Sequence, residues 1–264
     1  AGYHPRDMYG AFKIMNEQSY QLASLPGYLS THPGLSSRLA STFSDQAEAP
    51  PAPPDPVFQA IRDRSIAMNG NPNRARDFFN RRLAKDPDDA SALNGLGLLS
   101  SREMSYAQAK KLLLRASELN PGSDQFLTDL GDLALKVRQP QEAISHYEAA
   151  LKKNKRNLLA TLGLARCYEL TERNSEANTL YERALGYAGK DYPPAKELAG
   201  LFFGKIGQEA KGHYLMSSFY EETGRLKEAM FHCEAAVKAP KGQAYKADCE
   251  RKQRDLKELM DKKI

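Results

Sequence analysis

The chain has 264 residues, of which 41% are hydrophobic and 27% are charged, and its formal net charge is +5. Charges of both signs are interspersed without a long basic run, so the composition is typical of a water-soluble folded protein and does not suggest nucleic-acid binding. No apolar run reaches the roughly 18 residues that a membrane-spanning helix needs, so we predict no transmembrane segment.

Residues 1–43 differ in kind from the rest of the chain. They begin without Met and without an apolar leader, contain a predicted helix around residues 9–21, and then become rich in turn-forming residues. We therefore expect a piece of a longer protein, with any export signal outside this sequence. Residues 44–55 hold four prolines and predict an extended linker, so a domain boundary is expected there.

From residue 56 onward the sequence repeats with a period of 34 residues. Four units follow one another directly, and a fifth follows after 18 further residues. A repeat of this length is typical of two helices, A and B, stacked into an all-α solenoid. The five units are residues 56–89, 90–123, 124–157, 158–191 and 210–243.

Small and bulky residues alternate on a fixed grid within the repeat. A small side chain where two helices cross lets their backbones approach, and dense packing leaves little room for a larger one. The twenty-seventh position is alanine in four units and Arg82 in the first. The twentieth position is always alanine: Ala75, Ala109, Ala143, Ala177 and Ala229. The twenty-fourth position should fill the space between helices: Phe79, Leu113, Tyr147, Tyr181 and Cys233.

Two segments do not fit this grid. Residues 186–207 are rich in glycine and proline and are predicted to be an inserted loop or an irregular helix. Residues 244–264 predict one strongly charged helix that caps the last repeat. The three cysteines lie far apart, so we expect them to serve packing, and a bridge between Cys233 and Cys249 stays open.

The 34-residue period, the alanine grid and the turn sequence of residues 120–122 resemble the tetratricopeptide repeat (TPR) family over close to 190 residues. The resemblance implies a TPR solenoid of about five repeats plus a capping helix, with a groove along the A helices that holds proteins or peptides. Chaperone-binding relatives use a fixed basic cluster that this groove does not reproduce, which disfavours a chaperone tail as the ligand. Any single groove residue is equally compatible with an ordinary solvated surface. The predicted partner-binding residues are Arg64, Asn94, Arg102, Thr128, Asp132, Lys136, Arg166, Glu169, Tyr214, Ser218, Glu221 and Glu222.

A second resemblance lies in residues 1–43. An Ala-Gly-Tyr-His-Pro start and a Leu-Ser-Thr-His-Pro loop, with Arg38 six residues after His32, are similar to the closing segment of HtpX-like zinc metalloproteases. BepA-like members of that family carry a TPR domain after the protease domain. The resemblance implies a periplasmic or secreted parent that holds a catalytic zinc ion. In that parent His32 would plug the zinc site and Arg38 would brace the loop, unless they are an ordinary surface histidine and salt-bridge residue.

Two functions follow as alternatives. The first is the C-terminal part of a periplasmic zinc metalloprotease whose repeats bind client or assembly-partner proteins for envelope quality control. None of the five histidines stands in a His-Glu-x-x-His motif, so this chain is expected to carry no cofactor and to be inactive alone. The alternative is a non-enzymatic TPR scaffold or co-chaperone. A zinc-binding helix encoded upstream of Ala1 would favour the first.

Overall fold

The computed structural model describes residues 56–188 and 192–261. The chain divides into two compact units, residues 1–59 and 60–264, and only the last four residues of the first are described. The features predicted for residues 1–43 and the linker at residues 44–55 lie outside the described residues. Within the described part, the regular elements are twelve α-helices and one short 3-10 helix.

The first eight helices alternate between A and B and are joined by short turns. The A helices are α1 (Pro56–Asn69), α3 (Ala90–Arg102), α5 (Asp124–Lys136) and α7 (Leu158–Leu170). The B helices are α2 (Pro72–Leu83), α4 (Tyr106–Leu119), α6 (Pro140–Lys153) and α8 (Asn174–Ala188). The all-α TPR solenoid predicted from the sequence is thereby confirmed for the described residues.

The last position of a repeat starts the next A helix. Asp89, Ser123 and Asn157 each stand just before an A helix, and each side chain accepts a hydrogen bond from the backbone N–H three residues later. Such caps satisfy backbone donors that a helix start leaves without partners, and each contributes about 1 kcal/mol. The polar residue at position 34 therefore marks the helix boundary.

The alanine grid lies in the core. All five alanines of the twentieth position and all four of the twenty-seventh are at most 1% exposed. The ring of Tyr147 fills the space between two A helices, where a Cβ added to Gly131 would come within 2.6 Å of it and one added to Gly163 within 2.3 Å. A bulky B-helix side chain thus packs on the bare backbone of its neighbours.

The first repeat replaces its second alanine by a charge network. The guanidinium of Arg82 makes two hydrogen bonds to Asp89, at 2.7 and 2.8 Å, and pairs with the buried carboxylate of Asp63. Because Arg82 donates to both carboxylate oxygens of Asp89, the pair fixes the relative orientation of the two side chains and also neutralises their charges. The exception to the alanine grid therefore joins both helices of the first repeat to Asp89, the residue that caps the second A helix.

The prediction of a loop or irregular helix after the fourth repeat was wrong for residues 194–205. These residues form a regular helix, α9 (Pro194–Lys205), followed by α10 (Glu209–Glu222) and α11 (Leu226–Lys238). The insertion is about half a repeat long, which is the length of one helix and a turn. As a result α10 packs against both α9 and α11 and serves each as a pairing partner.

Backbone geometry identifies the register of this extra helix. In the turn between helices A and B, the residue at position 15 of the repeat has a left-handed backbone conformation. In three repeats this residue is Met104, Arg138 or Glu172, with φ of 60–62°. Gly207 and Gly224 take the same place at φ of 80° and 76°. If Gly207 is position 15 of a repeat, that repeat starts at residue 193. Gly224 is position 15 of the repeat that starts at residue 210, and the two repeat frames overlap.

The final helix, α12 (Lys246–Asp261), follows a 3-10 helix (Gly242–Tyr245) and packs on α11. Its Leu256 is 1% exposed, as expected for a cap. Cys233 of α11 and Cys249 of α12 are buried in one cluster and unbridged. Burial, and then the hydrogen bond with Cys233, raises the pKa of the Cys249 thiol to about 12, so it stays protonated at neutral pH.

Candidate functional site: a cleft on the A helices

An open cleft of about 310 Å³ crosses the A helices of the first four repeats. Its walls come from α1, α3, α5 and α7, and no B helix contributes to it. Since these helices are held in place by the alanine grid of the core, their exposed turns form a continuous surface. The lining residues are Arg64, Met68, Leu98, Ser101, Asp129, Asp132, Leu133, Leu135, Lys136, Arg166 and Leu170.

A buried carboxylate lies at the base of the cleft. Asp129 is 1% exposed, and its carboxylate accepts hydrogen bonds from Arg64, from Asn94 at 2.9 Å and from Gln125 at 3.2 Å. Burial raises the pKa of Asp129, whereas the charge of Arg64 and these donors oppose that rise. Its three hydrogen-bond partners, Arg64, Asn94 and Gln125, all donate to the carboxylate and so favour its charged form.

The second carboxylate of the cleft is Asp132, whose side chain is 43% exposed. It accepts a hydrogen bond of 2.7 Å from the Tyr147 hydroxyl and lies 3.7 Å from the guanidinium of Arg64. Both carboxylates therefore already have donors from the protein. Arg64 of α1 forms ion pairs with both carboxylates, which lie on α5.

Two further cations have no carboxylate within ion-pair distance among the described residues. Lys136 donates a hydrogen bond of 3.3 Å to the Ser101 hydroxyl and makes no ion pair. Arg166 is exposed and makes neither a hydrogen bond nor an ion pair with the described residues. Other cations on the helices do pair with carboxylates, for example Lys110 with Glu142 at 2.7 Å.

Apolar side chains also open into the cleft. Leu170 at the end of α7 is 58% exposed and Met68 near the end of α1 is 37% exposed, while Leu98 between them is buried. Met68 stands four residues after Arg64, and Leu170 stands four residues after Arg166, so each lies about one helical turn from a cation of the same wall. The cleft thus combines free positive charge with accessible hydrocarbon.

Four of the predicted partner-binding residues line this cleft: Arg64, Asp132, Lys136 and Arg166. The other predicted residues of the first four repeats serve helix packing. Thr128 is fully buried, and Asn94 supports Asp129. Arg102 donates to the backbone oxygens of Ala67 and Gly70 at the end of α1. Glu169 accepts hydrogen bonds from Tyr181 and Lys205.

Three of the four predicted residues on α10 contact the capping helix. The Tyr214 hydroxyl donates to Asp248, and the Tyr214 ring stacks on Tyr245 with centroids 4.7 Å apart. Lys252 of α12 donates to Ser218 at 2.7 Å and pairs with Glu221 at 2.9 Å. Glu222, the last of the predicted set, pairs with Lys196 of α9.

Sequence reasoning missed the apolar half of the cleft. Met68, Leu98 and Leu170 occupy the ninth and thirteenth positions of their repeats, the same positions that hold Arg64 and Lys136. The grid therefore contained the signal, but only polar residues were taken from it. Asp129 stands at the sixth position, which the groove pattern does not include, and it is found only from the structure.

The predicted metal-site residue His32 and its neighbour Arg38 lie outside the described residues. Among the described residues, no group of three or more His, Cys, Asp and Glu side chains is placed to hold a metal ion. The helices that the structure describes also include none with the length and hydrophobicity needed to cross a membrane.

Two family models, both described as tetratricopeptide repeat, match the chain, one at residues 128–194 and the other at residues 210–243. The first match runs from α5 to the start of α9, and the second covers α10 and α11. The second match coincides with the frame marked by Gly224.

Known proteins show the same likeness. PilF of Pseudomonas aeruginosa, a type IV pilus assembly protein, is 27% identical over 142 residues, which is 53% of this chain and 49% of that protein. The TPR repeat-containing protein PA4667 of the same species is 33% identical over 72 residues, 27% of this chain and 12% of that protein. The chain therefore spans about half of PilF and a small part of PA4667.

Solved structures agree on the fold. The thermophilic TPR protein TTC0263 of Thermus thermophilus superimposes with a TM-score of 0.57 at 16% identity, over 69% of this chain and 98% of that chain. At this identity the likeness concerns the fold alone. Residues 128–194 and 210–243 match tetratricopeptide repeat models, and the described part of the chain folds as a TPR solenoid.

Proposed function

We propose that the A-helix cleft binds a segment of another polypeptide and that the protein acts as a TPR scaffold. The observation that supports this most directly is the exposure of Leu170, at 58%, in a cleft that also holds two cations without carboxylate partners among the described residues. No described segment of the chain covers this cleft. TPR repeats in general present extended surfaces of this kind to protein partners.

The energetics of the cleft suit a peptide ligand. Covering a half-exposed leucine contributes on the order of 1–2 kcal/mol, and Met68 adds a smaller amount. The A helices are fixed by a core of fully buried alanines and aromatic rings, so the cleft is formed before binding. A preformed surface avoids much of the ordering cost that weakens association.

The nature of the partner is a further part of the proposal. The likeness to PilF, over half of that protein, supports a partner that is a subunit of a larger assembly. A periplasmic or secreted location would be compatible with such a partner and stays a proposal.

The metalloprotease parent, in which residues 56–264 would recruit clients, also stays a proposal, because it rests on residues 1–43 alone. Both matching family models lie within the repeats, so the scaffold is the better-supported function. The coding sequence upstream of Ala1 decides between them. A His-Glu-x-x-His helix there would support the protease parent, and its absence from the full reading frame would refute it.

The binding proposal can be tested with peptides selected from a random phage-displayed library on the full chain. Their affinities are then measured by fluorescence anisotropy for Leu170→Gln and for the matched control Leu201→Gln on α9. Leu201 is 59% exposed and lies outside the cleft. We expect Leu170→Gln to weaken binding about fivefold or more and Leu201→Gln to leave it unchanged. Equal effects of the two substitutions, or no selected peptide, would refute the proposal.

A further inference from the structure

We infer that the cleft selects a partner segment in which a carboxylate stands close to a large apolar side chain. The inference rests on the proposed function and adds the chemistry of the ligand. Three cations, Arg64, Lys136 and Arg166, face two carboxylates, Asp129 and Asp132, so the cleft has an excess of one positive charge.

The two carboxylates are already satisfied from within the protein. Asp129 receives Arg64, Asn94 and Gln125, and Asp132 receives Tyr147 and the more distant guanidinium contact of Arg64. Arg64 is consequently committed to the protein. The positive charge that remains available to a ligand is on Lys136 and Arg166, the two cations without ion pairs to the described residues.

The neighbours of Arg166 define the second element of the ligand. Arg166 and Leu170 stand four residues apart on α7, so their side chains lie on one face about one turn, or 5–6 Å, apart. Side chains two residues apart in an extended peptide point the same way and lie about 6.6–7 Å apart. An acidic residue and a large apolar residue separated by one residue would therefore meet Arg166 and Leu170 together.

The sign pattern of the cleft favours a carboxylate over a phosphate. Asp132 is 43% exposed in the same cleft and would repel a doubly charged group more strongly than a singly charged one. Arg166 also has no neighbouring free arginine in the described cleft with which to form the basic cluster that phosphate recognition uses. A phosphopeptide is thus an outcome that the test must exclude.

The test uses synthetic peptides of one length that contain Glu-x-Leu, Gln-x-Leu, Lys-x-Leu, Glu-x-Ser or phosphoserine-x-Leu. Each is made with a free and with an amidated C-terminus, and binding to the full chain is followed by fluorescence anisotropy at low and high salt. We expect Glu-x-Leu to bind most tightly, with about tenfold losses on replacing Glu by Gln or Leu by Ser. Binding of the Glu peptide should weaken with salt.

Charge reversal in the protein provides the matched control. Arg166→Glu should weaken the Glu-x-Leu peptide about tenfold and strengthen the Lys-x-Leu peptide. Lys111→Glu changes the net charge equally but lies on α4, outside the cleft, and should alter neither. Loss of binding on amidation instead of on Gln replacement would support the carboxylate and assign it to the chain end.

The outcomes separate this inference from the proposed function. If Gln-x-Leu or phosphoserine-x-Leu bind as well as Glu-x-Leu while Leu170→Gln still weakens binding, the carboxylate is refuted and the peptide-binding cleft stands. If Lys111→Glu acts like Arg166→Glu, the selectivity comes from overall charge and the inference fails. If no peptide responds to Leu170→Gln, both fail.

Discussion

Replacing Gly212 with alanine should separate the two helices that the half-repeat insertion brings together. A Cβ added at Gly212 of α10 would lie 2.8 Å from both the backbone oxygen of Gly200 and the backbone nitrogen of Gly204 on α9. Backbone atoms cannot rotate away, so the helices must part. Overpacking of this kind costs about 1–3 kcal/mol, partly offset by the roughly 1 kcal/mol by which alanine favours a helix.

Gly204→Ala is the matched control, because a Cβ added there meets no atom within 4 Å. The same exchange in α9 should therefore stabilise the protein by about 0.5–1 kcal/mol. Urea unfolding followed by circular dichroism gives the overall change, and amide hydrogen exchange shows whether α9 and α10 lose protection in Gly212→Ala. A Gly212→Ala protein at least as stable as Gly204→Ala would refute the close crossing.

Three further stability effects follow from the same structure. Asp129→Ala leaves the partly buried charge of Arg64 without its closest partner and should cost about 2–4 kcal/mol in urea unfolding, whereas a loss below about 0.5 kcal/mol would mean that the pair is not formed. Burial, and then the charge of His213, lowers the pKa of His232. The unfolded chain therefore binds a proton at His232 more readily than the folded protein does. The contribution of neutral His232 to stability is fully present above the ordinary pKa near 6.5 and is lost as the pH falls. Unfolding free energy should thus fall more steeply from about pH 7.5 to about pH 5.5 in the wild type than in His232→Phe, and parallel curves would contradict this. Glu172 has a φ of 60°, which suits glycine better than other residues, so Glu172→Gly should stabilise the protein by up to about 1 kcal/mol and raise its thermal unfolding midpoint. A lower midpoint would argue against the left-handed turn.

The repeating core was predictable because the same constraint occurs in five units, four of them at a spacing of 34 residues. Ala109, Ala143 and Ala177 are all fully buried, and so is Tyr147. A single alanine in a helix carries little information, whereas a column of them identifies a helix crossing. Arg82 departs from the second alanine column, at the twenty-seventh position, and its ion pairs could be found only from the structure.

The extra helix was not predictable from the grid, because half a repeat shifts every position out of register. Pro194 begins α9 at a place where proline is well tolerated, and Gly200 serves the close crossing with α10. In a single sequence these residues are typical of a loop. Gly207 was the available signal, because it stands at the turn position that Gly224 occupies in the next frame.

The candidate site was predicted in part for a similar reason. The ninth and thirteenth positions supply Arg64 and Lys136 to the cleft, whereas Arg102, at a thirteenth position, binds the end of α1 instead. The fifth position faces the neighbouring A helix instead, so Asn94 and Thr128 are buried. Which cations remain without ion pairs depends on side-chain contacts between helices, such as Arg64 with Asp129, and the repeat pattern does not encode these contacts.

The central claim is that the cleft on α1, α3, α5 and α7 is where a polypeptide binds. A selected peptide carrying a benzophenone group can be crosslinked to the full chain by light and the attachment sites mapped by mass spectrometry. The account predicts crosslinks at Met68, Lys136 and Leu170, with loss of the crosslinks in the presence of excess unlabelled peptide. Crosslinks confined to α4, α6 or α8 would contradict it, because those helices contribute nothing to the cleft.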